Sequence, residues 1–216
     1  KKLAAGRLVG QTPLLSHLPL LLIHRPENRT IPKLMSGFDT HSRSANKRFA
    51  KELSTVLEPS YRPPAAREEA SFGWALEDSS EEDAPCLLLT VSLSAGPYAN
   101  LEYTVEIRVP HDYPFCPPLL RFCARNIPYH PQVQATSGEL HLCGVLHGGQ
   151  WSAAIHMGTL AVLISEMFLA PNPDDGVCNP DAAHAFAHLS PDAYRAKVVT
   201  SYSGGDPMIK RAIVST

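Results

Sequence analysis

Three prolines within six residues, Tyr113-Pro114-Phe115-Cys116-Pro117-Pro118, constrain this chain more than any other feature. Each proline fixes φ and removes a backbone donor, so the hexapeptide can neither continue a strand nor enter a helix interior. It follows directly on the cleanest strand pattern in the sequence. Across residues 101–109, Leu101, Tyr103, Val105, Ile107 and Val109 alternate with Glu102, Thr104, Glu106 and Arg108. A period of two means one buried face and one wet face. A rigid loop must therefore join this strand to the next apolar stretch, Leu119–Ala124.

Two more strands precede it, Phe72–Leu76 and 86–94 (CLLLTVSLS), separated by an acidic turn at Asp78–Asp83. Short turns between consecutive strands predict an antiparallel meander of four. Before the sheet, residues 44–57 read as a helix. Ser44 is its N-cap, Phe49, Leu53, Val56 and Leu57 form the apolar face, and Lys47, Arg48 and Lys51 lie on the polar side. Pro59, Pro63 and Pro64 stop it. After Trp151 the period becomes helical through Leu160, Leu163, Ile164, Met167 and Phe168, ending at Pro171 and Pro173. Two shorter helices follow, near Asp181–Ala187 and Pro191–Ser201, the second with Ser190 as cap and Pro191 in its first turn. The expected fold class is α+β: a four-stranded antiparallel sheet with an N-terminal helix and three C-terminal helices.

Three regions emerge. Residues 44–203 form the domain, residues 204–216 a C-terminal tail opened by Gly204 and Gly205, and residues 1–43 a basic, proline-containing extension. The extension holds seven Lys/Arg against Glu27 and Asp39, and an apolar stretch at Leu14–Ile23 that suits docking. A basic, acid-poor N-terminus also fits an organelle transit peptide, a mitochondrial one included. The chain begins at Lys1 and not at methionine, which reads as a fragment or a processed form.

A net charge of −2 argues against a nucleic-acid binder that relies on bulk charge. No apolar run reaches the roughly 18 residues a membrane helix needs. The five cysteines, Cys86, Cys116, Cys123, Cys143 and Cys178, form no C-x-x-C pair. They read as free thiols in a reducing compartment, cytoplasm or nucleus, and neither a disulfide framework nor a zinc site. No metal and no cofactor is expected.

The stretch VPHDYPFCPPLLRFCARNIPYHPQV resembles the ubiquitin-conjugating enzymes over its whole length, with the proline loop at 113–118 and a His-Pro turn at His130-Pro131-Gln132. Trp151-Ser152, PNPDD at Pro171 to Asp175, and NKRFAKEL at Asn46 to Leu53 resemble further segments of that family. The resemblance covers about residues 44–203. It implies a ubiquitin-conjugating-enzyme fold and a thioester relay that passes ubiquitin or a ubiquitin-like modifier to a lysine. Cys143, eight positions before Trp151, falls at the family's catalytic cysteine, and Asp175 at its acidic residue. His130 takes the place of the histidine that organises the turn. The same resemblance makes Lys47, Arg48 and Lys51 the face for an activating enzyme, and Phe115 and Ala153 the two loops for a RING-type ligase.

The departures cluster at the reactive centre. Gln132 stands where the family has asparagine, the segment from Gln132 to Cys143 is longer than usual, and Gly144-Val145 follow the cysteine. Aligning Gly138 on the family's glycine would put His141 at the cysteine's place. An alternative therefore stays open: a catalytically inactive member serving as a structural subunit or adaptor in a larger, mitochondrial or other, assembly, held through residues 1–43. A third reading, a cysteine hydrolase using His141 or His147, requires one of those rings beside the Cys143 sulfur.

Overall fold

Alternation becomes burial on the central strands of the sheet. In a computed structural model of the chain, which describes residues 43–76, 86–142, 145–146, 150–174 and 176–202, and of 43–46 the backbone alone, Tyr103, Val105 and Ile107 are buried while Glu102 is exposed. The strands are β1 (Ala70–Leu76), β2 (Cys86–Leu93), β3 (Glu102–Arg108) and β4 (Leu119–Phe122), hydrogen-bonded antiparallel in the order β1-β2-β3-β4. Leu89 opposes Trp74 on one side and Val105 on the other, and Ile107 opposes Leu120. The meander and the α+β class expected from the sequence are both present. The acidic turn at Asp78–Asp83, Leu14–Ile23, the side chain of Ser44 and the Gly204-Gly205 tail lie outside the described residues.

Helix α1 (Arg43–Val56) buries Phe49, Leu53 and Val56, the face its spacing predicts. Helix α2 (Met157–Leu169) is nearly apolar along its length. It lays Leu160, Ala161, Ile164 and Phe168 on the inner face of the sheet. Phe168 stacks on Tyr103 with ring centroids 5.1 Å apart, and its edge meets Phe122 at 5.7 Å. These rings occupy the centre of the core.

Helices α3 (Pro180–His188) and α4 (Pro191–Ser201) start as their sequences dictate. Asn179 caps α3 by accepting from the Ala182 N–H, Ser190 caps α4 by accepting from Ala193, and a proline opens each first turn. Helix α4 is fastened by hydroxyls. The hydroxyls of Tyr98 and Tyr194 lie 2.8 Å apart and within 2.8 and 3.2 Å of the Tyr129 carbonyl, so their two protons are shared among these three contacts. The residue following that carbonyl is His130, so the anchor of α4 leads straight into the His-Pro turn.

The free edge of β4 is covered by the returning chain. The Phe122 N–H donates to Gly138 and the Leu140 N–H to Leu120, at 2.8 and 3.0 Å. Gly138 has φ +73°, and a Cβ there would sit 2.6 Å from the Phe122 carbonyl oxygen. Only glycine meets both demands without strain.

Candidate functional site

The His130-Pro131-Gln132 turn is held at each of its three residues. His130 is fully buried; its Nε2–H donates to the Met167 carbonyl of α2 at 3.1 Å, and its Nδ1 accepts the Gln132 N–H at 3.1 Å. That pair of bonds needs the neutral ring, and burial lowers its pKa from 6.5 to about 4. His130 is thus an organiser of the turn and is not poised as a base near neutrality. The Pro131 carbonyl accepts from the N–H groups of Cys178 and Asn179, at 3.0 and 2.9 Å, with the Cys178 Sγ 3.7 Å away. The Gln132 carbonyl accepts from the His141 N–H at 2.9 Å, and the residue itself is buried. One short turn therefore joins α2, the start of α3 and the segment leading toward Cys143.

Beyond His141 the chain passes through buried Leu142, whose carbonyl accepts from Val145 and Leu146 at 3.0 and 2.8 Å. Cys143 itself, Asp175 and His147 lie outside the described residues. His141 is half-buried with Nε2 4.0 Å from Glu139 Oε1. On the acidic segment, the Asp174 N–H donates to the Asn172 side chain at 2.9 Å, a local turn after Pro171.

A second junction binds the two loops expected to meet a ligase. The Trp151 indole N–H donates to the Pro114 carbonyl at 2.7 Å, and its ring packs 6.3 Å from that of Tyr113. The proline loop contains a cis Tyr113–Pro114 peptide and projects Phe115, which is 75% exposed. Ala153 is half-buried, and its carbonyl accepts from Arg48. Arg48 donates also to Ile155, at 3.1 Å, and to Glu52, at 2.7 Å. Glu52 in turn accepts from the Tyr113 hydroxyl at 2.7 Å and the Met157 N–H at 3.0 Å. Burial and the Glu52 charge hold the Tyr113 phenol protonated, raising its pKa well above the ordinary range.

The three cations of α1 are thereby divided. Lys47 and Lys51 are exposed, whereas Arg48 turns along the domain to tie α1 to the loops. Lys51 borders a groove of about 410 Å³ between α1 and the start of α2, which Tyr61 and His156 also line. Glu52 and Asn179 were not among the expected site residues. Glu52 stands at i+4 from Arg48 and Asn179 immediately precedes a proline, so an ion-pair spacing and a cap signal marked both. Among the described residues there is no cluster of three or more His, Cys, Asp or Glu suited to a metal, and no helix long and apolar enough to cross a membrane.

Comparison with known proteins agrees with this architecture. A family model described as "Ubiquitin-conjugating enzyme" matches residues 64–202. NEDD8-conjugating enzyme Ubc12 of Dictyostelium discoideum is 28% identical over 137 residues, 63% of this chain and 56% of that protein. Ubiquitin-conjugating enzyme E2 K of Bos taurus is 33% identical over 79 residues, 37% of this chain and 38% of that protein. The matches thus span little more than half of the first relative and 38% of the second. The solved structure of S. cerevisiae Ubc12 superposes with a TM-score of 0.59 at 19% identity, covering 82% of this chain and 87% of that one. At that identity the likeness establishes the fold.

Proposed function

We propose that this chain, which belongs to the ubiquitin-conjugating enzyme family, carries ubiquitin or a ubiquitin-like modifier as a thioester on Cys143. The thiolate attacks the modifier's C-terminal thioester on an activating enzyme. A new C–S bond forms at Cys143, and the activating enzyme's thiolate leaves. A lysine amine then attacks the same carbonyl carbon; the C–N bond forms, Cys143 leaves as thiolate, and the amine gives up its proton. Thiolates suit both steps, being strong nucleophiles and adequate leaving groups. Asp175 orients or deprotonates the incoming lysine. The Gln132 amide faces the developing oxyanion, and His130 keeps that turn in place.

The observation that carries this reading is the three-point fixation of the His130-Pro131-Gln132 turn on α2, α3 and the His141 segment. A turn so fixed can present one amide at a constant position, which electrostatic stabilisation requires. The eight-residue step from Cys143 to Trp151 supports it independently. Exposed Lys47 and Lys51 suit an acidic surface on an activating enzyme, and Phe115 with the Ala153 loop suits a RING-type ligase.

The test is incubation with ATP and either ubiquitin or NEDD8, each with its own activating enzyme. The expected product is an adduct that reducing agent cleaves, absent in Cys143→Ala and retained in Cys178→Ala. Absence of any adduct with both modifiers would sink the relay. It would leave the adaptor reading, which Gln132 and the lengthened loop favour. That reading predicts assembly with a larger complex through residues 1–43.

A further inference from the structure

We propose that His184 and His188 form a two-histidine site for a divalent transition-metal ion on the exposed face of α3. The residues are one helical turn apart, at i and i+4, so their side chains rise from the same face. Both are exposed, and their ring centroids lie 4.4 Å apart with the planes tilted by 47°. Two imidazole nitrogens each about 2 Å from one ion stand roughly 3 Å from each other. Rings already 4.4 Å apart reach that arrangement by side-chain rotation alone, on a backbone that the helix holds fixed.

The rings are available. Among the described residues neither makes a hydrogen bond or an ion pair. The acidic residue at the start of the same helix, Asp181, is engaged by the Tyr129 hydroxyl at 2.5 Å and by Lys197 at 3.8 Å. The opposite side of α3 is committed to the domain through buried Ala182, Ala183 and Ala185. Position favours a cation as well: His188 is in the last turn, where the helix dipole presents its negative end.

The donor set selects the ion. Two imidazoles that no carboxylate joins in a metal-holding group among the described residues suit nickel, copper or zinc and not calcium or magnesium. No third ligand joins them among the described residues, so the remaining coordination positions stay open to water or to a donor from another molecule.

The test is a calorimetric titration of the full chain with nickel(II) at pH 7.5, paired with NMR of the histidine ring protons. The expected result is one saturable equivalent. The paramagnetic ion broadens the His184 and His188 signals ahead of those of the other histidines. His184→Ala and His188→Ala each weaken binding at least tenfold. So does H188A/L189H, which keeps two histidines and destroys their spacing. Binding unchanged in these variants, or broadening that begins at other histidines, overturns the site; the ring-proton result stands even where a variant folds poorly.

Discussion

The buried ring of His130 donates to the Met167 carbonyl of α2 at 3.1 Å while its other nitrogen receives the Gln132 N–H. A second proton on the ring would occupy Nδ1 and remove the bond from the Gln132 N–H, while the Nε2–H would still donate to Met167. Burial lowers the folded-state pKa to about 4 against 6.5 for a free ring. The unfolded chain therefore binds the proton first as pH falls. The stability due to the neutral ring is complete above about pH 6.5 and is lost progressively down to about pH 4. The loss at pH 5 is on the order of 2 kcal/mol. Urea midpoints at pH 7.5 and pH 5 measure it. In His130→Gln, less stable at pH 7.5, the acid-dependent fall is smaller by about that amount. An equal fall in both proteins would remove His130 as its source.

Glu52 makes the second prediction. Its side chain is 12% exposed and accepts from Arg48, Tyr113 and the first N–H of α2. Glu52→Ala leaves a guanidinium, a phenol and a helix-end donor in need of partners, at a cost of about 2–3 kcal/mol. Glu52→Gln retains one acceptor and costs about half as much. Chemical denaturation of both variants checks the order. A Glu52→Ala midpoint within error of the wild type contradicts the network.

What the sequence made legible was the part encoded locally. The alternation of β3, the prolines at 114, 117 and 118, and the apolar spacing of α1 and α2 each act over a few residues, and each element formed where its pattern stood. The spacing groups Arg48 with Lys47 and Lys51 on one polar side because helical periodicity alone cannot show its partners at Ala153 and Ile155. Glu52 escaped for the same reason, since its acceptor role reaches Tyr113 and Met157. The cover over the β4 edge rests on one isolated bridge, Arg121 with Glu139, and a second, Val133 with Leu140, folds the covering segment on itself; both are too short to carry any periodicity. Gln132 and His130 were legible as a turn, but its attachment to Cys178 and Asn179 needed the third dimension.

That edge cover yields a third prediction. Gly138→Ala asks an L-residue to hold φ +73° and sets a methyl 2.6 Å from the Phe122 carbonyl oxygen. The expected cost is about 2 kcal/mol, seen as a melting temperature lower by about 4–8 °C. Ser137→Ala loses only the bond from the Glu139 N–H to the Ser137 hydroxyl, 3.2 Å long, and serves as the neighbouring control. Equal melting temperatures for the two variants contradict the close approach.

The last prediction concerns Asn179, whose backbone holds the His130-Pro131-Gln132 turn. Its side chain caps α3 while its N–H, beside that of Cys178, holds the Pro131 carbonyl. Asn179→Ala removes the cap, at about 1 kcal/mol, and loosens the helix start from which the two N–H groups point. Gln132, one residue beyond Pro131, then loses part of its fixed aim. Under the proposed relay, Cys143 still accepts the modifier within about twofold, because charging depends on the thiol. Discharge to free lysine slows about fivefold, about 1 kcal/mol of transition-state stabilisation. Asn179→Asp keeps the capping oxygen and restores discharge. Amide exchange at Gln132 offers a readout independent of activity, since its N–H is the one bound to His130. Faster exchange in Asn179→Ala than in Asn179→Asp is expected. Exchange equal in the two variants, or charging and discharge reduced alike, would show that Asn179 stabilises α3 without positioning the turn.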